Sequence, residues 1–179
     1  MFENYTERAR EALQASQDIL RRYKQNQLDG EHILAGLEGA SVLIGNDYEF
    51  AMMAQKTGKS EAELIESAPL TVVTRGGEGS IIYSNEDGGG GLEIPTAPIA
   101  DLADPTGAGD AYIAGLVFGL ARDFPMPVVG RVAALTAAYA VEQQGCQEHD
   151  FTPAEFAERY TEAFGRTPEV EALAETVTR

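Results

Sequence analysis

Cysteine, tryptophan, basic side chains and long apolar runs are scarce or missing in this chain of 179 residues. The lone cysteine, Cys146, excludes an internal disulfide and fits a reducing compartment. Because no apolar run reaches about 18 residues, we expect no transmembrane helix. The charged N-terminal stretch has no apolar core of the kind a secretory signal needs. These absences together predict a cytoplasmic protein.

The shortage of basic residues has a second consequence, which concerns partners. Lysine and arginine number 13 against 29 aspartates and glutamates, for a formal net charge of −16. Nucleic acids and anionic membrane surfaces are themselves negative, so neither is an expected partner. With 44% hydrophobic and 23% charged residues, the composition is that of a globular domain.

The most informative stretch is a loop of small residues, 103–107, that runs directly into an apolar helix. A helix start carries unpaired N–H groups and the positive end of the helix dipole, which together form an anion site. Asp110 lies in the first turn, beside Gly107, Ala108 and Gly109. Amides that hold charge on a moving phosphoryl group, next to a carboxylate that accepts a proton, suit phosphoryl transfer. The alternative is a glycine-rich helix cap that binds nothing.

The order Asp104-Pro105-Thr106-Gly107-Ala108-Gly109-Asp110 resembles the D-x-x-G-A-G-D signature of the ribokinase-like (PfkB) carbohydrate and nucleoside kinases. The resemblance implies that Asp110 is the catalytic base and that the amides of Gly107, Ala108 and Gly109 form an anion hole. It also implies ATP and Mg²⁺ as cofactors and a sugar or nucleoside as acceptor. Over residues 139–165 the chain looks most like the bacterial adenosine-kinase-like members.

A short apolar strand at Val42 is followed by a mostly polar segment that contains Asn46 and Glu49. Their spacing is similar to the N-x-x-E at a strand end of the same kinases. There the two side chains would organise the water shell of Mg²⁺, a cation that keeps several waters. The alternative is a capping box, in which Asn46 starts a helix and Glu49 bonds back to it.

A second strand, rich in β-branched residues, ends at Thr74 and is followed by a turn that contains Gly76 and Gly79. This segment resembles the T-x-G-x-x-G of the family. There, Thr74 and the two glycines would line the phosphate and ribose side of the nucleotide. The alternative is an ordinary hairpin, because many hairpin turns have such a composition.

A further helix is predicted over residues 128–144, with Gly145 as the glycine that ends it. By resemblance, this helix and Gly145 form a wall of the adenine pocket. The same resemblance implies a ring of oxygens around a monovalent cation such as K⁺, to which Asp104, Thr106, Ala140 and Gly145 would belong. The alternative is plain helix packing.

The first 39 residues read differently from the rest. They predict two helices, and residues 1–10 and 30–37 resemble the opening of the Clp ATPase N-terminal domain, a helical docking module. Residues 40–165 resemble only the C-terminal half of a ribokinase-like kinase, and residues 166–179 predict an acidic helix or a loose tail. The two resemblances meet without a linker, which indicates a chimera.

The expected fold is therefore α/β: a truncated ribokinase-like, Rossmann-like three-layer core behind an N-terminal helical hairpin. The expected function is ATP-dependent phosphoryl transfer to a sugar or nucleoside hydroxyl. This requires the site to be active without the substrate-binding half of the family's fold. The alternative is a non-catalytic binding or scaffold protein that uses the Clp-like helices.

The strands at Val42 and Leu70 are near-continuous apolar runs typical of a parallel sheet covered on both faces. An exposed edge of such a sheet invites pairing, so we expect a homodimer or other self-association.

Overall fold

The computed structural model of the chain describes residues 30–85, 90–145 and 148–175. The first predicted helix and Cys146 lie outside the described residues. None of the helices in these three ranges has the length and apolar character that crossing a membrane requires.

Seven helices and four strands follow one another in the described residues. In chain order they are α1 (Gly30–Leu37), β1 (Val42–Asn46), α2 (Asp47–Thr57), α3 (Glu61–Ile65), β2 (Leu70–Thr74), β3 (Ser80–Ser84), β4 (Gly91–Ile94), α4 (Ala108–Leu120), α5 (Met126–Val141), α6 (Pro153–Phe164) and α7 (Pro168–Glu175), with a 3₁₀ turn at Gly76–Glu78 between β2 and β3.

The four strands form one mixed sheet in the order β1-β2-β3-β4. β1 and β2 run parallel, with Val42 opposite Leu70 and Asn46 opposite Thr74. β3 is antiparallel to both of its neighbours. The parallel pairing predicted from the two apolar runs is therefore confirmed, and β2, which lies between two strands, is buried over its first four residues.

Helices cover both faces of the sheet. On one face, Val72, Ile82 and Ile94 pack against Leu116 of α4 and Val129 of α5. On the other face, Val73 packs against Phe50 of α2 and Leu64 of α3. The three layers follow from the alternation of side chains along a strand, since neighbouring residues of a buried strand need an apolar partner on opposite sides.

A third apolar cluster lies behind α5. Leu135 contributes to it from α5, Phe156 and Tyr160 from α6, and Val170 from α7. Of the two alternatives for the acidic C-terminal stretch, the helix is the one observed, over Pro168–Glu175. Val170 is 1% exposed, so this helix is part of the packed structure.

Three helices begin with the same local device. In each, a side-chain oxygen accepts the N–H of the third helical residue, whose glutamate in turn accepts the cap N–H. The pairs are Asn46 with Glu49, Ser60 with Glu63, and Thr152 with Glu155. The first of these pairs was an alternative already in the sequence analysis, because both partners lie within one turn.

The prediction for α5 was wrong at both ends. The helix begins at Met126, two residues early, because Pro127 fits a first turn in which its missing N–H is not needed. It ends at Val141, whose carbonyl accepts the N–H groups of Ala103 and Asp104 at 2.9 and 3.1 Å. Gly145 is therefore not the residue that ends the helix, although its φ of 92° is left-handed.

α4 and α5 approach each other closely through glycine. A Cβ added at Gly115 would lie 2.7 Å from Cα of Ala133 and 2.7 Å from Oγ1 of Thr136. No real Cβ tolerates a contact of that length with backbone, so the glycine sets the spacing of the two helices. The position of α4 against the sheet depends on this spacing.

We expect Gly115→Ala to lower the free energy of unfolding by about 1–3 kcal/mol, because the added methyl forces two packed helices apart. Urea unfolding followed by far-UV circular dichroism would measure this in a chain without tryptophan. The matched control is Gly36→Ala in α1, where an added Cβ meets nothing within 4 Å. Equal stability of the Gly115→Ala and wild-type proteins would contradict the packing argument.

Candidate functional site

At the start of α4 the N–H of Ala108 donates to the Pro105 carbonyl at 3.3 Å, and the next N–H groups have no side-chain cap. Gly107 is the N-cap residue, with a left-handed φ of 83° and no side chain to accept a bond. The first N–H with a helical acceptor is that of Ala111, which donates to the Gly107 carbonyl at 2.9 Å. The helix offers no acceptor to the N–H groups of Gly109 and Asp110. These groups and the helix dipole make this end of α4 suitable for an anion.

Asp104 ties this loop together. Its Oδ1 accepts the N–H of Thr106 at 2.9 Å, and its Oδ2 accepts the N–H of Gly145 at 3.2 Å. Hydrogen bonds from Thr106, followed by that from Gly145, hold the pKa of the Asp104 carboxyl below its ordinary value. The carboxylate thus joins the loop before α4 to the segment after α5, 41 residues away.

A cavity of about 400 Å³ opens beside the start of α4. Residues from β1, β2, the 3₁₀ turn, α4 and α5 line it. Six of the predicted site residues are among them, namely Asn46, Thr74, Gly76, Gly79, Ala108 and Gly109. The structure therefore brings the strand end, the glycine turn and the helix start to one cavity, although 63 residues separate the first from the last.

The glycines of this cavity leave room for a ligand. A Cβ added at Gly76 or Gly109 would meet nothing within 4 Å, so the backbone faces open space at both positions. At Gly79, where φ is +88°, an added Cβ would lie 2.1 Å from the Ile94 carbonyl oxygen. Gly79 is thus required by the turn, whereas Gly76 and Gly109 allow another molecule to approach the backbone.

The remaining predicted residues are not among those that line this cavity. Asp110 follows Gly109 on α4 and is exposed, and Gly107 is half-buried at the N-cap. Thr106 and Gly145 meet at Asp104. The carbonyl of Ala140 accepts the N–H groups of Glu142 and Gln143.

Asn46 and Glu49 form the capping box that the sequence left as an alternative. The N–H of Asn46 donates to Oε2 of Glu49 at 2.8 Å, and the N–H of Glu49 donates to Oδ1 of Asn46 at 2.7 Å. These bonds use one oxygen of each side chain, and Asn46 also faces the cavity. Within the described ranges, no three His, Cys, Asp or Glu side chains are grouped closely enough to hold a metal ion.

Two residues of the cavity had no role in the sequence interpretation. The hydroxyls of Ser80 on β3 and Tyr112 on α4 are hydrogen-bonded at 2.7 Å, and the two residues are 1% and 6% exposed. Burial raises the pKa of the Tyr112 hydroxyl, and the bond to Ser80 opposes this only partly. The available signal was a tyrosine in an otherwise apolar helix, three residues after Gly109.

An ion pair holds the chain that leads into the loop. Arg159 of α6 donates to both carboxylate oxygens of Glu142 at 2.7 Å and to the Pro98 carbonyl at 3.0 Å. Glu142 also accepts the Ala100 N–H at 2.9 Å. Burial acts to raise the pKa of the Glu142 carboxyl, but the bonds from Arg159 and Ala100 and the Arg159 charge outweigh it, so the pKa lies below its ordinary value.

Residues 2–153 match the profile of the family described as "pfkB family carbohydrate kinase". A nucleoside kinase of Methanothermobacter thermautotrophicus is 35% identical over 130 residues, which are 72% of this chain and 40% of that protein.

Two solved structures extend this likeness to the fold. The nucleoside kinase of Burkholderia thailandensis, solved with inosine, superposes with a TM-score of 0.74 at 35% identity, over 79% of this chain and 46% of that one. The Methanocaldococcus jannaschii nucleoside kinase, described as an archaeal member of the ribokinase family, gives 0.69 at 29% identity, over 82% and 46%. The predicted ribokinase-like α/β fold is thus confirmed, and the chain spans less than half the length of each relative.

We expect Glu142→Gln to lower the free energy of unfolding at pH 7 by about 1–3 kcal/mol, because it removes the charge from a mostly buried pair. A carboxyl whose folded pKa is lowered stabilises the fold above its unfolded pKa, which is ordinarily 4.5, and loses that effect as pH falls through the folded value. The difference between variant and wild type should therefore shrink below about pH 4.5 in urea unfolding.

The control for this prediction is Glu171→Gln, which breaks the more exposed pair with Arg166. Such a surface pair contributes at most about 1 kcal/mol, so its loss should matter less. A difference for Glu142→Gln that stayed constant from pH 7 to pH 3 would contradict the assigned charge state.

Proposed function

The chain belongs to the pfkB family of carbohydrate kinases, and from this premise we propose that it carries the nucleotide-binding and phosphoryl-transfer part of an ATP-dependent kinase. The observation that supports this most is the cavity that joins the glycine turn to the open start of α4. The relatives with 35% identity are nucleoside kinases, one of them solved with inosine. A nucleoside is therefore the acceptor we propose ahead of a simple sugar.

In this proposal, ATP lies in the cavity over Thr74, Gly76 and Gly79, and its terminal phosphate faces the start of α4. The residues present fit such a ligand, because Gly76 and Gly109 leave the backbone open to it. Gly145 would stand on the adenine side, as the resemblance implies. The N–H groups of Gly107, Ala108 and Gly109 would hold the charge that develops on the phosphoryl group, that of Ala108 in exchange for its 3.3 Å bond to the Pro105 carbonyl.

Asp110 would accept the proton of the acceptor hydroxyl as the new phosphorus–oxygen bond forms and the bond to ADP breaks. Its exposed position at the first turn of α4 leaves it open to an incoming hydroxyl. Mg²⁺, when bound, would neutralise phosphate charge, and Asn46 and Glu49 would hold its waters.

The monovalent cation stays a prediction. The oxygens of Asp104 accept bonds from Thr106 and Gly145, and the carbonyl of Ala140 accepts two N–H groups. K⁺ would therefore share these oxygens with the N–H donors or replace them.

The Clp-like helical pair at residues 1–39 and the chimera it implies also stay predictions, and so does the scaffold function that depends on them. The family match covers the same segment from residue 2.

Self-association is proposed through β1 and the exposed apolar face of α4. β1 is the outer strand of the described sheet. Beyond Asp110 in its first turn, α4 is apolar around its whole circumference, a pattern typical of a fully buried helix, yet Ile113 and Val117 are 39% and 56% exposed. A second copy that covered this face would bury them.

Asp110→Asn should reduce turnover of adenosine or inosine with Mg·ATP by about 10²-fold or more, because the amide cannot accept the proton. Binding of Mg·ATP, measured by calorimetric titration, should stay within about twofold, since the backbone donors are unchanged. Asp123→Asn makes the same chemical change just beyond the other end of α4 and should preserve turnover. If Asp110→Asn turned over at the wild-type rate, Asp110 would not be the base.

Light scattering with chromatography should show a mass above that of one chain, and Val117→Glu should return it to the mass of a monomer. A charge at this exposed position destabilises an apolar contact without entering the core. Leu102→Glu is the control, since Leu102 is 62% exposed in the loop before α4. A wild-type chain that stays monomeric at all concentrations rules out self-association.

A further inference from the structure

The cavity has two walls that are distant in sequence. One is the glycine turn that links β2 to β3, and the other is the start of α4. Both must keep their spacing if backbone donors from each are to contact the same ligand. A hydrogen bond between Ser80 and Tyr112 crosses from one wall to the other, over 32 residues of sequence.

Each partner is attached closely to the wall it supports. Ser80 follows Gly79 directly, so a displacement of Ser80 also displaces the end of the glycine turn. Tyr112 lies one helical turn after Gly109 on the same side of α4, and both residues face the cavity. A shift of either hydroxyl therefore moves a ligand-facing backbone segment, with little intervening chain to absorb it.

The bond is also shielded from solvent. Ser80 is 1% and Tyr112 is 6% exposed, so water cannot readily replace either partner. A buried hydroxyl that loses its partner carries the full cost of its desolvation. The conformation in which the bond is formed is therefore strongly preferred over one in which it is broken. Burial also raises the pKa of the Tyr112 hydroxyl above its ordinary value, which lies well above neutral pH already.

We propose that Ser80 and Tyr112 are positioning residues that set the distance between the glycine turn and the anion-binding start of α4. The role rests on the proposed function, because the spacing matters for a ligand that contacts both walls. Neither residue need touch the reacting atoms. Their bond holds the Gly76 and Gly109 backbones at the separation at which one nucleotide can bridge them.

Tyr160 supplies a matched control for this proposal. It is fully buried, like Tyr112, but its hydroxyl has no hydrogen-bond partner among the described residues. Replacing either tyrosine by phenylalanine keeps the ring and removes one oxygen. Only Tyr112→Phe also removes a link between the two walls.

The first measurement is calorimetric titration of Mg·ATP. Tyr112→Phe should raise the dissociation constant about three- to tenfold, the range expected for one intramolecular hydrogen bond, and Tyr160→Phe should leave it unchanged. Ser80→Ala should weaken binding by a similar factor, and the double variant should be no weaker than the worse single variant, because both remove the same bond. Unchanged affinity in Tyr112→Phe, with the wild type binding normally, would overturn the proposal.

The second measurement does not depend on nucleotide. Amide hydrogen exchange of the free protein should become faster in Tyr112→Phe at residues 76–79 and 107–110, and stay unchanged in α6. A wild-type chain that binds no Mg·ATP would refute the proposed function, yet this comparison would still decide whether the bond spaces the two walls. Exchange that is unchanged in both segments, or equally faster throughout the chain, counts against positioning.

Discussion

The structure depends on a helix start at which the N–H groups of Gly109 and Asp110 are held in place without an acceptor in the helix. A polar side chain at the cap would satisfy these groups and end their capacity to bind an anion. Gly107 avoids this because it has no side chain and adopts a left-handed φ of 83°. The loop is then stabilised one step back, through Asp104, which bonds to Thr106 and Gly145. The loop is thus ordered by Asp104, and the N–H donors at the start of α4 stay available to a ligand.

The remaining packing serves the same end by fixing α4 from several sides. Gly115 lets α4 contact the backbone of α5, and Leu116 seals it against the sheet. Ser80 bonds to Tyr112 on the cavity side. Glu142 and the Val141 carbonyl hold the chain that enters the loop. Each contact is modest alone, but together they limit how far the first turn of α4 can move.

The charge of the chain makes this arrangement more significant. A protein with net charge −16 repels a polyphosphate at long range. Over a few ångströms, however, oriented backbone N–H dipoles attract an anion, and this attraction does not require basic side chains. The largely buried Glu142 carboxylate is paired with Arg159, so its charge is neutralised locally. An acidic chain can thus keep an anion site provided that the donors are backbone groups.

Features that depend on neighbouring residues were predictable from the sequence. The capping box at Asn46 involves partners three residues apart, and the loop that leads to Asp110 is one short motif. The parallel pairing of β1 with β2 followed from two apolar runs. Six predicted site residues line one cavity because each lies at the end of a regular element that the pattern had placed.

Other features were decided only by the tertiary structure, since their partners are far apart along the chain. Ser80 and Tyr112 looked unremarkable separately, and their bond exists because α4 packs across β3. The end of α5 was misplaced because its last carbonyl bonds to residues nearly forty positions earlier. Glu142 and Arg159 likewise meet only once α6 folds back. The sequence alone determined the elements and the chemistry at their ends, whereas the distances between those ends were set by packing, because long-range contacts leave no local pattern.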